Sequence, residues 1–210
     1  MSTSAAPADL QPGAHDEPAS AVLERALKEG TTLYRLVEAF GEKGFAVAFI
    51  VLLGVPALPL PTGGATHVFE AMAALLALEL IVGRETLWLP RRWRDVQLGG
   101  GNRERFVRGL LRLMRAAERI SRPRLRWLFR PRLASVAYGL FVVAGCAAAF
   151  LAPPFTGLDT LPALGVVLVS LGVLLDDVAF AIVGSLVTAA GVALELTLGA
   201  KLVDVVKNLF

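Results

Sequence analysis

The sequence predicts an all-α membrane protein, built from short helical hairpins around Pro/Thr/Gly turns, amphipathic interfacial helices and a C-terminal transmembrane helix. Three observations predict it. Of 210 residues, 55% are hydrophobic and 19% charged, with a mean hydropathy of +0.62, whereas a soluble domain carries about 25% charge. The charge is segregated: residues 1–42 and 84–132 hold most of it, and 44–83 and 133–200 are almost entirely apolar. A soluble core would interleave polar faces through such stretches. Each apolar region is also interrupted by a proline, threonine and glycine cluster.

The chain opens with MSTSAAPADLQPGAHDEPAS, which lacks the basic start and apolar core of a secretory signal. It reads as a disordered cytoplasmic tail, residues 1–20. Residues 20–40 place Val22, Leu23, Ala26, Leu27, Leu33, Leu36, Val37 and Phe40 at helical spacing, against Glu24, Arg25, Lys28 and Glu29 around the axis. The pattern predicts an amphipathic helix with a break at Gly30. Phe45 to Val55 is apolar, but Pro56, Pro59 and Pro61 arrive after about a dozen residues, short of the roughly 20 needed to span a bilayer. Ala65 to Val82 follows, so this pair of helices either re-enters or spans. Together they form a first unit, residues 21–90.

Residues 91–132 read as a basic cytoplasmic linker. From Arg84 to Arg132 there are fifteen arginines against Glu85, Asp95, Glu104 and Glu118, a balance of +11. Between apolar regions this run reads as the positive-inside signal and a surface for anionic lipid head groups, not as a nucleic-acid site. Residues 103–120 set Phe106, Val107, Leu110, Leu111, Met114, Ala117 and Ile120 opposite Arg105, Arg108, Arg112, Arg115 and Arg119, which suits a helix at head-group level. Trp88, Trp93 and Trp127 edge the block as interfacial anchors. A second hairpin, 133–177, comprises a 19-residue uncharged run to Leu151, the turn APPFTGLDT and the run Leu161 to Leu175. The unit 178–210 holds a last spanning run, Val178 to Ala200, with Glu195 as its single charge, and a short polar tail.

Pro59-Leu60-Pro61-Thr62-Gly63 aligns with Pro153-Pro154-Phe155-Thr156-Gly157 at an offset of 94 residues. Each follows an apolar helix, precedes another and comes after a charged amphipathic helix. The reading is a duplicated helix–turn–helix unit, parallel if the arginine block lies flat on one face. Transport folds arise by such duplication, with sites where broken helices meet; duplication that merely builds a helix bundle is the plainer alternative.

FGEKGFAVAFIVLLGVPALPLPTG, the helix closing in LELIVGRETLWLP, the arginine-rich stretch and PPFTGLDTLPALGVVLVSLGVLLDD together resemble the ExoD family of bacterial exopolysaccharide-synthesis proteins, over about residues 22–200. The resemblance implies a bacterial inner-membrane protein linked genetically to exopolysaccharide production and, in some members, to survival at alkaline pH. It brings no catalytic residues with it.

Candidate functional residues come from the cost of charge in a membrane. His67, Glu70, Glu79 and Glu195 are ionisable groups inside apolar runs, where an unpaired charge costs several kcal/mol and needs a partner or a wet cavity. They are the expected ion or proton path, together with the turns Pro59, Pro61, Thr62, Gly63, Pro153, Pro154, Thr156 and Gly157, whose hydroxyls and freed backbone groups suit a small ion. Plainer readings stand beside these. Glu79 pairs with Arg84, His67 and Glu70 sit in a wet vestibule, the Thr-Gly pairs are ordinary helix-ending turns, Asp159 caps or stabilises the second turn, and Asp176-Asp177 is a solvated helix end or a carboxylate pair that faces the arginine block and holds the two halves together. With one cysteine, Cys146, in an apolar run, neither a disulfide nor a cysteine metal site is expected. No phosphate loop, nucleophile elbow, metal cluster or cofactor motif appears, so no enzymatic activity is expected. The function expected is a small transporter or channel for protons or cations, working as a homodimer or higher homo-oligomer. The alternative is an accessory protein that holds anionic lipid or polysaccharide-synthesis machinery through Arg105, Arg108, Arg112, Arg115 and Arg119.

Overall fold

The computed structural model describes residues 18–29, 32–40, 43–58, 66–84, 101–122, 131–152 and 158–209. Among them there are eight helices and no strands: α1 Ala19–Lys28, α2 Leu33–Ala39, α3 Gly44–Leu53, α4 Thr66–Val82, α5 Gly101–Ile120, α6 Arg132–Leu151, α7 Thr160–Leu175 and α8 Val178–Leu209. The expected amphipathic helix over 20–40 is two helices, α1 and α2, on either side of Gly30. The last helix runs nine residues past Ala200, because no proline or glycine follows Ala200 to end it. The N-terminal residues 1–17 lie outside the described residues.

Helix α3 is apolar all round and buried at every residue but Val51, as a central helix must be. It packs against α2, α4 and α7, while α6 packs against α4 and α7. Phe49, Ile50, Leu76, Val142, Val166 and Leu171 form the middle of the core, each at most 1% exposed. The amphipathic α1 and α5 lie together, with Leu23, Leu110, Leu111, Met114 and Ala117 buried. Ser20 donates from its amide and hydroxyl to Glu118, at 2.8 and 2.6 Å, and Arg115 pairs with Glu24.

Helices α4 and α7 end alike. After α4, Gly83 has φ +87° and the Arg84 amide donates to the Glu79 carbonyl; after α7, Asp176 has φ +55° and the Asp177 amide donates to the Gly172 carbonyl. This is the left-handed cap with its long 6→1 bond that satisfies free helix carbonyls. Each end also receives a cation, from Lys43 just before α3 or from Arg132 at the start of α6. Lys43, before α3, donates to the Leu174 carbonyl and to Asp176, both at 2.8 Å. Arg132, opening α6, donates to the Val82 and Ile81 carbonyls at 2.9 and 3.4 Å.

Asp176 and Asp177 are therefore not the solvated helix end expected; they are 8% and 3% exposed. Only this pair separates α7 from α8, two apolar helices in close contact, so the turn is drawn into the packing. Asp177 accepts from the amides of Arg122 and Ala179 at 2.9 and 3.0 Å, the second of these starting α8.

Among the described residues two helices are long and apolar enough to cross a membrane, Arg132–Leu151 and Val178–Leu198, and most residues in both face outward. Leu133, Leu140 and Leu151 on the first and Ile182, Leu186 and Leu196 on the second are exposed.

Candidate functional site

At the end opposite Lys43 and Arg132, the starts of α4 and α7 meet. Thr66 donates its hydroxyl to Asp159 at 3.4 Å. Asp159 stands at the N-cap of α7 but makes no side-chain bond to that helix, so its carboxylate is turned to α4. One turn into α4, Nδ1 of His67 lies 2.8 Å from Oε2 of Glu70. The spacing of three residues places both on one face. The His67 ring rests against Phe150 of α6, with ring centroids 4.8 Å apart.

A third carboxylate arrives on α8. Gly184, Thr188, Gly191 and Glu195 recur at the spacing of one helical face, and the three before Glu195 are buried. A Cβ on Gly165 would stand 2.6 Å from the Gly184 carbonyl oxygen, one on Gly172 2.8 Å from the Ala181 amide, and one on Gly191 2.8 Å from Pro162. Glycines thus let α7 and α8 run antiparallel with their backbones nearly touching. Carried one step further, that register sets Glu195 beside Asp159 at the start of α7. The charges of Asp159 and Glu70 both act on Glu195, and Asp159 also acts on Glu70.

Glu70 is 1% exposed. Its Oε2 is held by His67, while its Oε1 has no hydrogen-bond partner among the described residues; Oε1 of Glu195 has none either. Three carboxylates from three helices thus come to one end of the bundle, Glu70 buried and Asp159 and Glu195 half-buried, with His67 the basic group bonded to one of them. Among the described residues this group holds more negative charge than its neighbours balance, and at buried Glu70 a low-dielectric setting magnifies the imbalance. The N-termini of α4 and α7 offset part of it. Among the described residues no three His, Cys, Asp or Glu side chains are grouped to hold a metal ion.

The family model for exopolysaccharide synthesis, ExoD, matches residues 19–197. The chain belongs to the ExoD family. It is 31% identical over 148 residues to Protein ExoD of Rhizobium meliloti, covering 70% of this chain and 61% of that protein. It is 29% identical over 169 residues to an uncharacterized protein of Synechocystis sp., covering 80% of this chain and 76% of the other. No solved structure matches.

Of the candidate path residues in this ExoD-family chain, the structure brings His67, Glu70 and Glu195 to one end. Glu79 lies apart: nine residues along α4 is about 13 Å, and its carboxylate is 3.8 Å from Arg84. Pro59, Pro61, Thr62, Gly63, Pro153, Pro154, Thr156 and Gly157 lie outside the described residues, which resume beyond each turn with Thr66 and Leu158. Arg108, Arg112, Arg115 and Arg119 are exposed on α5; Arg105 is in the same helix, with its side chain outside the described ones. Sequence reasoning did not place Asp159 and Thr66 in the site. Their position immediately after the two aligned turns was the signal available.

Proposed function

We propose that this chain is a multi-pass protein of the bacterial inner membrane that moves a cationic species across it as a homo-oligomer, in support of exopolysaccharide production. The observation that carries this reading is Glu70: 1% exposed, with one carboxylate oxygen lacking a hydrogen-bond partner among the described residues, at the same end of the bundle as Asp159 and Glu195. Buried carboxylates without cationic partners are costly, and in membrane proteins they stand on ion and proton routes.

Several features support a membrane arrangement. Helices α3 and α7, with 10 and 16 residues, reach about 15 and about 24 Å, less than a hydrocarbon core of about 30 Å. Short helices meeting at polar turns suit re-entrant hairpins, whose irregular backbone needs protein or a wet cavity around it. Duplication is supported at the offset of 94. Thr66 and Thr160 both open second helices, Glu24-Arg25 of α1 corresponds to Glu118-Arg119 of α5, and each first helix packs on the other unit's second helix. With α1 and α5 side by side, this is a parallel repeat, and the arginine-bearing end is cytoplasmic. So few short helices enclose a complete route only in an oligomer.

The test is reconstitution in liposomes with proton, sodium and potassium flux followed between about pH 6 and about pH 9. Flux above that of empty vesicles is expected, and its absence for all three ions rejects transport. Exposed Leu113 and Ile120 beside Arg112 and Arg119 favour a second reading, an accessory protein seated on anionic lipid. That reading fails if Arg108, Arg112 and Arg115 changed together to Ala leave binding to phosphatidylglycerol vesicles unaltered.

A further inference from the structure

Helices α4 and α7 close with the same backbone turn but differ there in charge. At the end of α7 the left-handed position is Asp176, whose carboxylate meets the Lys43 ammonium at 2.8 Å. At the end of α4 the left-handed position is Gly83, which has no side chain to offer; any Cβ there would run into the Arg132 guanidinium lying over it. Arg132 donates to the Val82 and Ile81 carbonyls and hydrogen-bonds no carboxylate among the described residues. Arg84, with its side chain 57% exposed, stands 3.8 Å from the Glu79 carboxylate, beyond hydrogen-bond reach. The anion that neutralises the cation at one helix end thus has no counterpart at the other.

The surroundings of the α4 end are apolar and open. Val82 and Leu133, beside the two arginines in the chain, are 74% and 77% exposed. Each heads an outward stripe: Val68, Leu75, Leu78 and Val82 share one face of α4, and Leu133 and Leu140 share one face of α6. The two helices are antiparallel neighbours along their length. Arg132 meets Val82 at one end, a Cβ on Gly139 would stand 2.6 Å from Ile81 in between, and His67 meets Phe150 at the other. The 20 residues of α6 reach about 30 Å, the depth of a hydrocarbon core.

Resting on the membrane reading above and independent of transport, we propose that the outward face of α4 and α6 holds an anionic phospholipid of the cytoplasmic leaflet. Its phosphate sits against Arg84 and Arg132, supplying the charge that Asp176 supplies at the end of α7, and its acyl chains lie along the two apolar stripes. A guanidinium fork matches two phosphate oxygens at once, and the fork of Arg132 is already fixed by the carbonyls it holds. A second copy of this chain is the other occupant that an outward apolar face suits, and charge decides against it. A two-fold axis along the membrane normal would bring like ends together, setting four guanidinium groups against one another. A zwitterionic lipid carries the same phosphate, but its own cation cancels the attraction, so the head group is one with net negative charge.

The full chain is purified in a neutral detergent and titrated with dioleoyl phosphatidylglycerol or dioleoyl phosphatidylcholine, bound lipid being counted by native mass spectrometry. Phosphatidylglycerol is expected to bind about tenfold more tightly or better. Arg84→Gln and Arg132→Gln should each weaken it about fivefold. Glutamine at 132 keeps an amide donor for the Val82 carbonyl, and Arg84, whose side chain bonds no helix carbonyl among the described residues, tests the charge without touching the end of α4. Arg35→Gln, which removes an exposed arginine of α2, should leave binding unchanged. Equal binding of the two lipids, or phosphatidylglycerol binding within about twofold of wild type in a folded Arg84→Gln, overturns the inference. Displacement of the lipid by glycerol 3-phosphate overturns it too, since the ligand is then a soluble phosphate. So does oxidative cross-linking of Leu140→Cys between copies in native membranes, which puts a second chain on the face; the native Cys146 is buried. A chain that stays in the supernatant of a detergent-free lysate overturns the membrane reading and this inference with it, whereas absence of a lipid preference in a chain that sediments with membranes overturns the inference alone.

Discussion

The two ends of the helix bundle are made by the same helices and are opposite in their electrostatics. Where α4 and α7 finish, Lys43 and Arg132 meet free carbonyls, and the buried aspartates 176 and 177 receive an ammonium group and two backbone amides. Where α4 and α7 begin, Thr66 and His67 are the donors that reach Asp159 and Glu70, and Glu70 and Glu195 each keep a bare oxygen. One end uses its charges to close helix termini and to tie the starts of α3 and α6 to the ends of α7 and α4. The other retains a carboxylate oxygen on each of Glu70 and Glu195 that is buried and makes no hydrogen bond among the described residues, and a group that costs stability without a structural return is a candidate for function. Helix α8 touches both ends, through Asp177 before its first turn and Glu195 seventeen residues into it.

The largest effect therefore follows from detaching α8. A leucine at Gly184 would drive its Cβ to within 2.6 Å of the Gly165 carbonyl oxygen and 2.7 Å of the Val169 amide, and backbone atoms cannot yield as a side-chain tip can. Gly184→Leu is expected to destabilise the protein by about 3 kcal/mol and to abolish flux, since Glu195 leaves the site. Thermal unfolding in detergent and the liposome assay check the two together. An unchanged unfolding midpoint would mean that the close α7–α8 seam does not hold the helices.

How much of this contrast was legible beforehand differs between the ends. Uninterrupted apolar runs marked α3, α4, α6 and α7 to within a residue or two, because proline and glycine end them sharply. Glu70 and His67 stood out as ionisable residues in apolar context, but the convergence with Glu195 was not legible, since it depends on α8 folding back along α7 through a glycine register that has no local signature at Glu195. The burial of Asp176 and Asp177 was missed for a related reason. A pair of aspartates reads as a wet helix end until one knows that the helices on either side are packed together and that Lys43, 133 residues earlier, reaches into the turn.

Opposite signs of stability change sharpen the comparison at intermediate magnitude. Removing the Lys43 ammonium leaves Asp176, with a side chain 12% exposed, without that cation. Because Lys43 itself is 37% exposed, the cost is less than for a fully buried pair, about 2 kcal/mol. Lys43→Ala is thus expected to lower the unfolding midpoint and spare flux. Glu70→Gln removes a charge that the described residues around it do not balance, and is expected to leave stability unchanged or raise it by about 1 kcal/mol while lowering ion flux. If Glu70→Gln instead unfolds the protein as readily as Lys43→Ala does, the acidic end is held together by that carboxylate and the contrast between the ends disappears.

The smallest expected effect lies outside both ends, on the α1–α5 surface, where exposed ion pairs show what charge contributes when water competes. Lys28, through its hydrogen bond and its charge, and then Arg115 hold the Glu24 carboxyl below its ordinary value. A carboxylate whose folded-state pKa is depressed stabilises the fold fully above the unfolded-state value, about 4.3, and loses that contribution as pH falls through the lower folded-state value. The Glu24 side chain is 39% exposed, so salt should screen the effect as acid removes it. Hydrogen exchange in α1 is expected to quicken modestly, relative to its intrinsic rate, when pH drops from 7 to 3, and Glu24→Gln should remove most of that pH dependence. Equal pH dependence in wild type and Glu24→Gln would show that α1 is held on α5 by Leu23 and the Ser20–Glu118 hydrogen bonds alone, leaving the surface charges as mere neighbours.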